Sequence, residues 1–254
     1  MSIRVEDLER IPHREFPGRR EIKRRSFTGV STDSRTVREG ELFVALRGER
    51  HDGHRFLCDA FVRGAAAAVI RRGAWSGEAP GPLLVVEDTL DALGELARLH
   101  RRRFRIPVLA VAGSNGKTTT KEMIARVLGR RWKVLSTEGN LNNRIGLPQT
   151  LFGLDAKHEA AVVELGTNHP GEIEFLCRIA EPTHGLITTI GKEHLEFLGD
   201  LAGVAAEEGA LFAWLRGLTH GTAFVHADEK AIASRSRGIA RRWTYGFGAR
   251  SRDV

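Results

Sequence analysis

Residues 107–120 read PVLAVAGSNGKTTT: an apolar run, a Gly-Ser-Asn-Gly loop, then a lysine and three threonines opening an amphipathic segment. The run 108–112 suits a buried parallel strand. Gly113 and Gly116 allow a tight turn whose backbone N–H groups point at an anion. Lys117 adds a mobile positive charge, Thr118 a hydroxyl for Mg²⁺, and the next helix turns the positive end of its dipole toward phosphates. Met123, Ile124, Val127 and Leu128 fall on one helical face, which predicts that they pack inward, and Gly129 is the expected C-cap. The loop departs from G-x-x-x-x-G-K-[ST], because Val111 stands five residues before Gly116. It is therefore shorter than the common form. An ordinary strand-to-helix turn has no use for Gly-Lys-Thr at its helix start, so the motif predicts ATP or GTP binding.

At 254 residues the chain is long enough for two domains, each with its own core. Its 41% hydrophobic and 28% charged residues describe a globular protein. No apolar run approaches the ~20 residues that span a bilayer, and the charged start MSIRVEDLERIPHREF lacks the apolar stretch of a signal peptide. The expectation is a cytoplasmic monomer that inserts in no membrane. Cys58 and Cys177 are the only cysteines, too few for a disulfide framework or a cysteine zinc site. The net charge is +7, with 32 arginines against seven lysines. Arginine-rich runs lie at 19–25, 101–105 and 235–242, yet they are not interleaved with aromatics at stacking spacing and no nucleic-acid-binding signature accompanies them. They read as solvated faces that help to steer anionic ligands, with no nucleic-acid partner.

Short apolar runs alternate with helical stretches throughout. In the first hundred residues strands are expected at 41–46, 66–70 and 83–86. Helices are expected at 54–64 and 88–103, the latter with Leu90, Leu93, Leu96 and Ala97 inward and Asp88 or Thr89 as its cap. The basic stretch 101–106 reads as a junction. That gives an α/β fold with an amino-terminal domain over 1–104 and a second domain over 105–254. In the second, strands are expected at 108–112, 133–136, 160–164, 185–190 and 222–226, and helices after the glycine loop and at 171–180 and 201–215. Strands separated by helices imply right-handed crossovers and a mostly parallel sheet, whose ligands collect at the strands' carboxyl ends.

The chemical residues follow strand ends. Glu164 closes AAVVE and His194 closes LITTIGKEH. With the glycine loop, three strands thus bring a phosphate cradle, a carboxylate and an imidazole to one sheet edge, a set suited to phosphoryl transfer. On the helix 201–215, Leu201, Val204, Ala205, Leu211, Phe212 and Leu215 all lie within about 60° of Glu208 at 100° per residue. A buried carboxylate there is protonated, paired with arginine or bound to a cation, and the nearness of His194 in sequence favours the cation. The segment 137–148, TEGNLNNRIGLP, reads as a loop. Its Asn140, Asn142 and Asn143 are suited either to turns or to a ligand rich in hydroxyls, phosphates and peptide groups.

GSNGKTTTKEM, GNLNNRIGLP, VVELGTNHPGEIEFL and LITTIGKEHLE, in this order, resemble the central domain of the Mur ligases of bacterial peptidoglycan synthesis. STDSRTVREGELFVALRGERHDGHRF resembles an amino-terminal nucleotide-sugar domain of the same family. The resemblance implies a UDP-muramoyl-peptide-binding domain followed by a P-loop ligase domain with a mostly parallel sheet. By its NLNN and ELGTNHPGEI segments it also implies the member that adds D-Ala-D-Ala to UDP-N-acetylmuramoyl-tripeptide through an acyl phosphate. On that basis Gly113, Ser114, Asn115, Gly116, Lys117, Thr118 and Thr119 would bind ATP. Thr118 and Glu164 would hold one Mg²⁺ and His194 a second, with Glu208 as a further metal ligand. Lys117, Glu164 and His194 are thereby the catalytic expectations. Ser31, Thr32, Asp33, Ser34 and Arg35 would form the uridine-nucleotide site, and Asn142, Asn143, Asn168 and His169 would face the muramoyl-peptide or the phosphates. Three positions depart from the family pattern. Glu208 stands where a lysine, often carbamylated, is usual; Thr189 replaces asparagine; and Lys192 and Glu193 replace small residues or proline. The ligase domain is expected to be incomplete and the family's carboxy-terminal domain absent, so the piece would bind ligands without turnover. A ligase adding a single amino acid, a folylpolyglutamate synthase and a non-catalytic nucleotide or UDP-sugar module are the rival readings. The STDSR segment opposes the folate enzyme, and the asparagine-rich loop opposes a plain nucleotide switch.

Overall fold

A computed structural model of the chain describes residues 3–13, 15–22, 26–48 and 51–248. Lys23, Arg24 and Arg25 of the first basic run lie outside the described residues. The chain divides into two units, residues 1–103 with 151–153, and residues 104–150 with 154–254.

In the first unit β1 (Ile3–Arg4) leads into α1 (Val5–Arg10) and pairs antiparallel with β2 (Ser26–Phe27). A separate four-stranded parallel sheet contains, in spatial order, β3 (Val30–Ser31), β4 (Leu42–Val44), β5 (Ala67–Arg71) and β6 (Leu83–Val86). Between β4 and β5 a 3₁₀ turn at Gly53–Phe56 runs into α2 (Leu57–Val62), so the helix expected from residue 54 starts later. Phe43, Leu57, Ala60, Ala68 and Ile70 pack together between this sheet and its connections. α3 (Thr89–Arg101) closes the unit. Asp88 caps it through the N–H groups of Leu90 and Asp91, and Leu93, Leu96 and Ala97 face inward as the periodicity predicts.

The second unit is a six-stranded, wholly parallel sheet in the order β12-β11-β10-β7-β9-β8. Its strands are β7 (Val108–Ala112), β8 (Val134–Ser136), β9 (Ala160–Glu164), β10 (His184–Ile187), β11 (Thr222–His226) and β12 (Arg241–Tyr245). Their connections carry α4 (Lys117–Leu128), α5 (Gly146–Phe152), α6 (Glu172–Ala180), α7 (Leu195–Leu198), α8 (Leu201–Arg216) and α9 (Lys230–Arg235). β7 is an inner strand from which the order grows in both directions, so the crevice that holds ligands in such sheets opens at its carboxyl end.

Two helical faces differ from expectation. On α4 the side chains that pack on the sheet are Ile124, Ala125 and Leu128, while Met123 and Val127 are 64% and 72% exposed. Residue 121 takes the inner position instead, and it is a lysine. On α8, Leu201 is 46% exposed because it opens the helix, whereas Val204, Ala205, Leu211, Phe212 and Leu215 are buried. Gly129 does cap α4, though in right-handed rather than left-handed backbone. Part of the expected loop 137–148 is helical in α5, whose start is capped by Asn143 Oδ1 through the N–H groups of Ile145 and Gly146. Among the described residues no helix is long and apolar enough to cross a membrane.

Candidate active site

The phosphate loop is built where the sequence places it. Gly113 and Gly116 adopt φ of +115° and +80°, conformations open to glycine and strained for other residues. At Gly113 space forbids a side chain as well, since a Cβ would lie 2.4 Å from Thr188 Oγ1. The loop is laced to the segment after β10. Ser114 N–H donates to the Thr189 carbonyl (2.8 Å) and the Gly191 N–H donates to Ser114 Oγ (2.8 Å). Thr188 Oγ1 donates to the Asn115 carbonyl (2.6 Å), and Asn115 N–H donates to Thr189 Oγ1 (3.2 Å). Thr189 thus supports the loop. Thr118 and Thr119 stand exposed in the first turn of α4, where free N–H groups and the helix dipole favour an anion.

Lys117 Nζ folds back onto the Gly113 carbonyl at 2.5 Å and lies 4.0 Å from Glu193 Oε2. Beneath it Glu208 is wholly buried, and its Oε2 accepts the Gly113 N–H at 2.7 Å. Burial pushes the Glu208 carboxyl up to about 8; Lys117 and the Gly113 N–H pull it down, and neighbouring Glu193 pushes it further up. The carboxyl expected on the apolar face thus braces the phosphate loop through Oε2, while its Oε1 is buried without a partner. Glu193, one of the positions that depart from the resemblance, faces the same lysine, and its negative charge helps to raise the Glu208 carboxyl.

Glu164 ends β9 beside β7, with Val111 as its register partner. It is 2% exposed; Oε1 accepts from Asn142 Nδ2 at 2.8 Å, while Oε2 is buried without a partner. Asn142 can approach because Gly166 has no side chain: a Cβ there would sit 2.8 Å from Asn142 Cγ. Asn143 is placed differently, its oxygen being engaged at the start of α5. The loop carrying Asn168 and His169 is held by Glu172 Oε2, which accepts both backbone N–H groups at 2.6 and 3.0 Å. The His169 ring lies against Phe197, with centroids 4.1 Å apart. His194 is exposed at the start of α7, with φ +47°. Among the described residues no three His, Cys, Asp or Glu side chains form one metal-holding group, so Glu164, His194 and Glu208 do not converge on one point.

In the first unit an open cavity of about 780 Å³ is lined by Thr32, Asp33, Ser34, Arg35, His51 and Arg63 among others. Four of the five expected uridine-site residues thus line one cavity. Ser31 instead bonds locally with the backbone of Asp33. Arg35 grips Asp33 through Nε–Oδ1 (2.9 Å) and Nη2–Oδ2 (2.7 Å), and this contact holds the Asp33 carboxyl down at about 2.

Several supporting residues were not singled out in the sequence. His54 is buried, accepts the Arg71 N–H at Nε2 (2.9 Å), and therefore donates from Nδ1 to Asp52 (2.6 Å). Lys121, Thr137 and Glu207 were likewise missed, and Glu193 was noted only as a departure from the resemblance. The only available signal was polar residues flanking the phosphate and asparagine motifs.

Residues 111–254 match the model of the Mur ligase middle domain, and residues 26–101 match that of the Mur ligase family catalytic domain. The chain is 38% identical to UDP-N-acetylmuramoyl-tripeptide–D-alanyl-D-alanine ligase of Bacillus subtilis, covering 87% of this chain and 47% of that protein. To the Escherichia coli protein of the same name it is 42% identical, covering 79% and 43%. Among solved structures, MurF from Acinetobacter baumannii superposes with a TM-score of 0.86 at 32% identity, covering 98% of this chain and 54% of that one. MurF from Thermotoga maritima, in complex with ADP, gives a TM-score of 0.79 at 30% identity, covering 87% and 50%. The chain spans about half the length of the curated relatives it matches.

Proposed function

Because the chain belongs to the Mur ligase family, we propose that it carries the uridine-nucleotide and ATP sites of a cytoplasmic amide ligase that joins D-Ala-D-Ala to UDP-N-acetylmuramoyl-tripeptide in peptidoglycan synthesis. One observation carries the chemistry. The phosphate loop at the end of β7 stands beside Glu164, whose buried Oε2 has no protein partner. An orphaned carboxylate oxygen next to a phosphate cradle fits a divalent cation.

In this reading the terminal carboxylate of the tripeptide attacks the ATP γ-phosphorus, and the bond to ADP breaks to leave an acyl phosphate. The amine of D-Ala-D-Ala then attacks the acyl carbon and loses a proton, and inorganic phosphate departs. The loop N–H groups and Lys117 bind the β and γ phosphates and stabilise the charge that gathers on the leaving oxygen. Lys117 must exchange the Gly113 carbonyl for phosphate oxygens to do so. Thr118 and Glu164 would hold Mg²⁺ and His194 a second ion, a charge that offsets phosphate repulsion when bound. Asn142 fixes the Glu164 rotamer, leaving Oε2 free for that task. Asp33, Ser34 and Arg35 bind the uridine nucleotide, and Asn168 and His169 the muramoyl-peptide.

The names of the relatives favour this substrate over the rival that adds a single amino acid. Calorimetric titration of the chain with UDP-muramoyl-tripeptide, UDP-muramoyl-dipeptide and ATP tests it. ATP and the tripeptide should both bind. Tighter binding of the dipeptide than of the tripeptide would overturn the substrate assignment.

A further inference from the structure

Lys121, four residues beyond Lys117, has no exposed surface. Lysine is almost never fully buried without a partner, because its ammonium is strongly hydrated. Here Nζ donates to the Thr137 carbonyl at 2.6 Å and to Glu122 Oε1 at 2.5 Å. Thr137 is buried directly after β8, and its own N–H donates to the Val162 carbonyl at 3.1 Å. Its hydroxyl accepts the Glu164 N–H at 3.0 Å. The residue held by Lys121 is therefore the one that holds the backbone of Glu164. Asn142, five residues further along the same loop, holds one carboxylate oxygen of Glu164.

We propose that Lys121 is a positioning residue for Glu164, fixing Thr137 between the phosphate-loop helix and β9 so that the carboxylate keeps its place beside the phosphate loop. This rests on the reading of Glu164 as the carboxylate that faces the nucleotide's metal. A lysine suits the task because its flexible arm reaches from the helix to a strand-end carbonyl, and its charge makes that hydrogen bond a strong one. Methionine fills similar space and makes no such bond. In Thr137→Val the shape is nearly kept, the hydroxyl is lost, and no buried charge is disturbed.

The test uses the whole chain and a fluorescent methylanthraniloyl-ADP probe, titrated in EDTA and in excess Mg²⁺. Lys121→Met and Thr137→Val should each lose about tenfold of the tightening that Mg²⁺ brings, as supporting partners of metal ligands do. Affinity in EDTA should stay near that of the unaltered chain, and Thr137→Ser should restore the Mg²⁺ effect. Glu164→Gln is measured alongside. If Glu164→Gln keeps the Mg²⁺ effect, the reading of Glu164 itself fails and this inference falls with it. If Glu164→Gln loses the effect while Thr137→Val retains it, the positioning role alone is overturned. Equal loss in EDTA and in Mg²⁺ would also overturn it, since that marks general damage to the fold. Should Lys121→Met fail to fold, Thr137→Val and Thr137→Ser decide the matter.

Discussion

Glu207 and Glu208, neighbours in sequence on α8, hold the backbones of two different strand-end loops. Glu208 Oε2 accepts the Gly113 N–H at 2.7 Å in the phosphate loop after β7. Glu207 accepts the N–H groups of Gly171 (2.7 Å) and Ile173 (2.8 Å) in the segment that follows β9 and carries Asn168 and His169. One rigid helix thereby sets the loop assigned to phosphates and the loop assigned to the muramoyl-peptide. Hydrogen bonds of this kind contribute roughly 0.5–1.5 kcal/mol each, and more is lost when a buried partner is stranded.

The Glu208 carboxyl makes stability depend on pH. Its folded pKa is pushed up to about 8 from an ordinary 4.5, so the folded chain keeps a proton that the unfolded chain releases between those values. The contribution is fully present below about 4.5 and is lost as pH rises through 8, at no more than about 1.4 kcal/mol per unit. Glu208→Gln keeps an acceptor for Gly113 and has no titration. Its melting temperature should therefore gain on the unaltered chain as pH rises from 5 to 8. A constant difference across that range contradicts the assignment.

Gly113→Ala combines a left-handed backbone with a Cβ 2.4 Å from Thr188 Oγ1. Strain of this kind costs about 1–3 kcal/mol before the clash is counted. Urea unfolding should show a loss of at least that size, together with loss of nucleotide binding. Gly116→Ala meets no atom within 4 Å and should cost less.

Removing Lys117 takes away both the proposed phosphate contact and a positive charge that acts on Glu193 and Glu208. Lys117→Ala should weaken ATP binding by more than about tenfold, the equivalent of about 1.4 kcal/mol. UDP-substrate binding, assigned to the other unit, should hardly change. Near-normal ATP affinity in equilibrium dialysis would show that the nucleotide lies elsewhere.

Ser34→Ala combined with Arg35→Ala should produce the reverse pattern. Both residues line the cavity of the first unit, and Arg35 is itself fixed by Asp33. UDP-substrate affinity should drop about tenfold, the scale of a lost charge-assisted contact, with ATP affinity intact. Equal losses of both affinities in a folded variant would refute the two-site picture.

The sequence alone determined the strand–loop–helix of the phosphate site, because glycine conformation, apolar strand composition and helix capping act over a few residues. It also placed Glu164 and Glu208 at a strand end and on an inner helix face, since the periods of strand and helix are local. It did not determine which neighbouring face of α4 packs inward. Met123 and Val127 share a stripe with Ile124 and Leu128, and only the seating of α4 on the sheet sends the first two into solvent. Lys121 was illegible for the same reason, since a lysine on an amphipathic helix reads as solvated until the carbonyl just after β8 is brought to it. The partners of Glu207, Glu208, Asn142 and Thr137 were equally hidden. Each bond joins residues at least 16 positions apart, and only the folded parallel sheet brings them within reach.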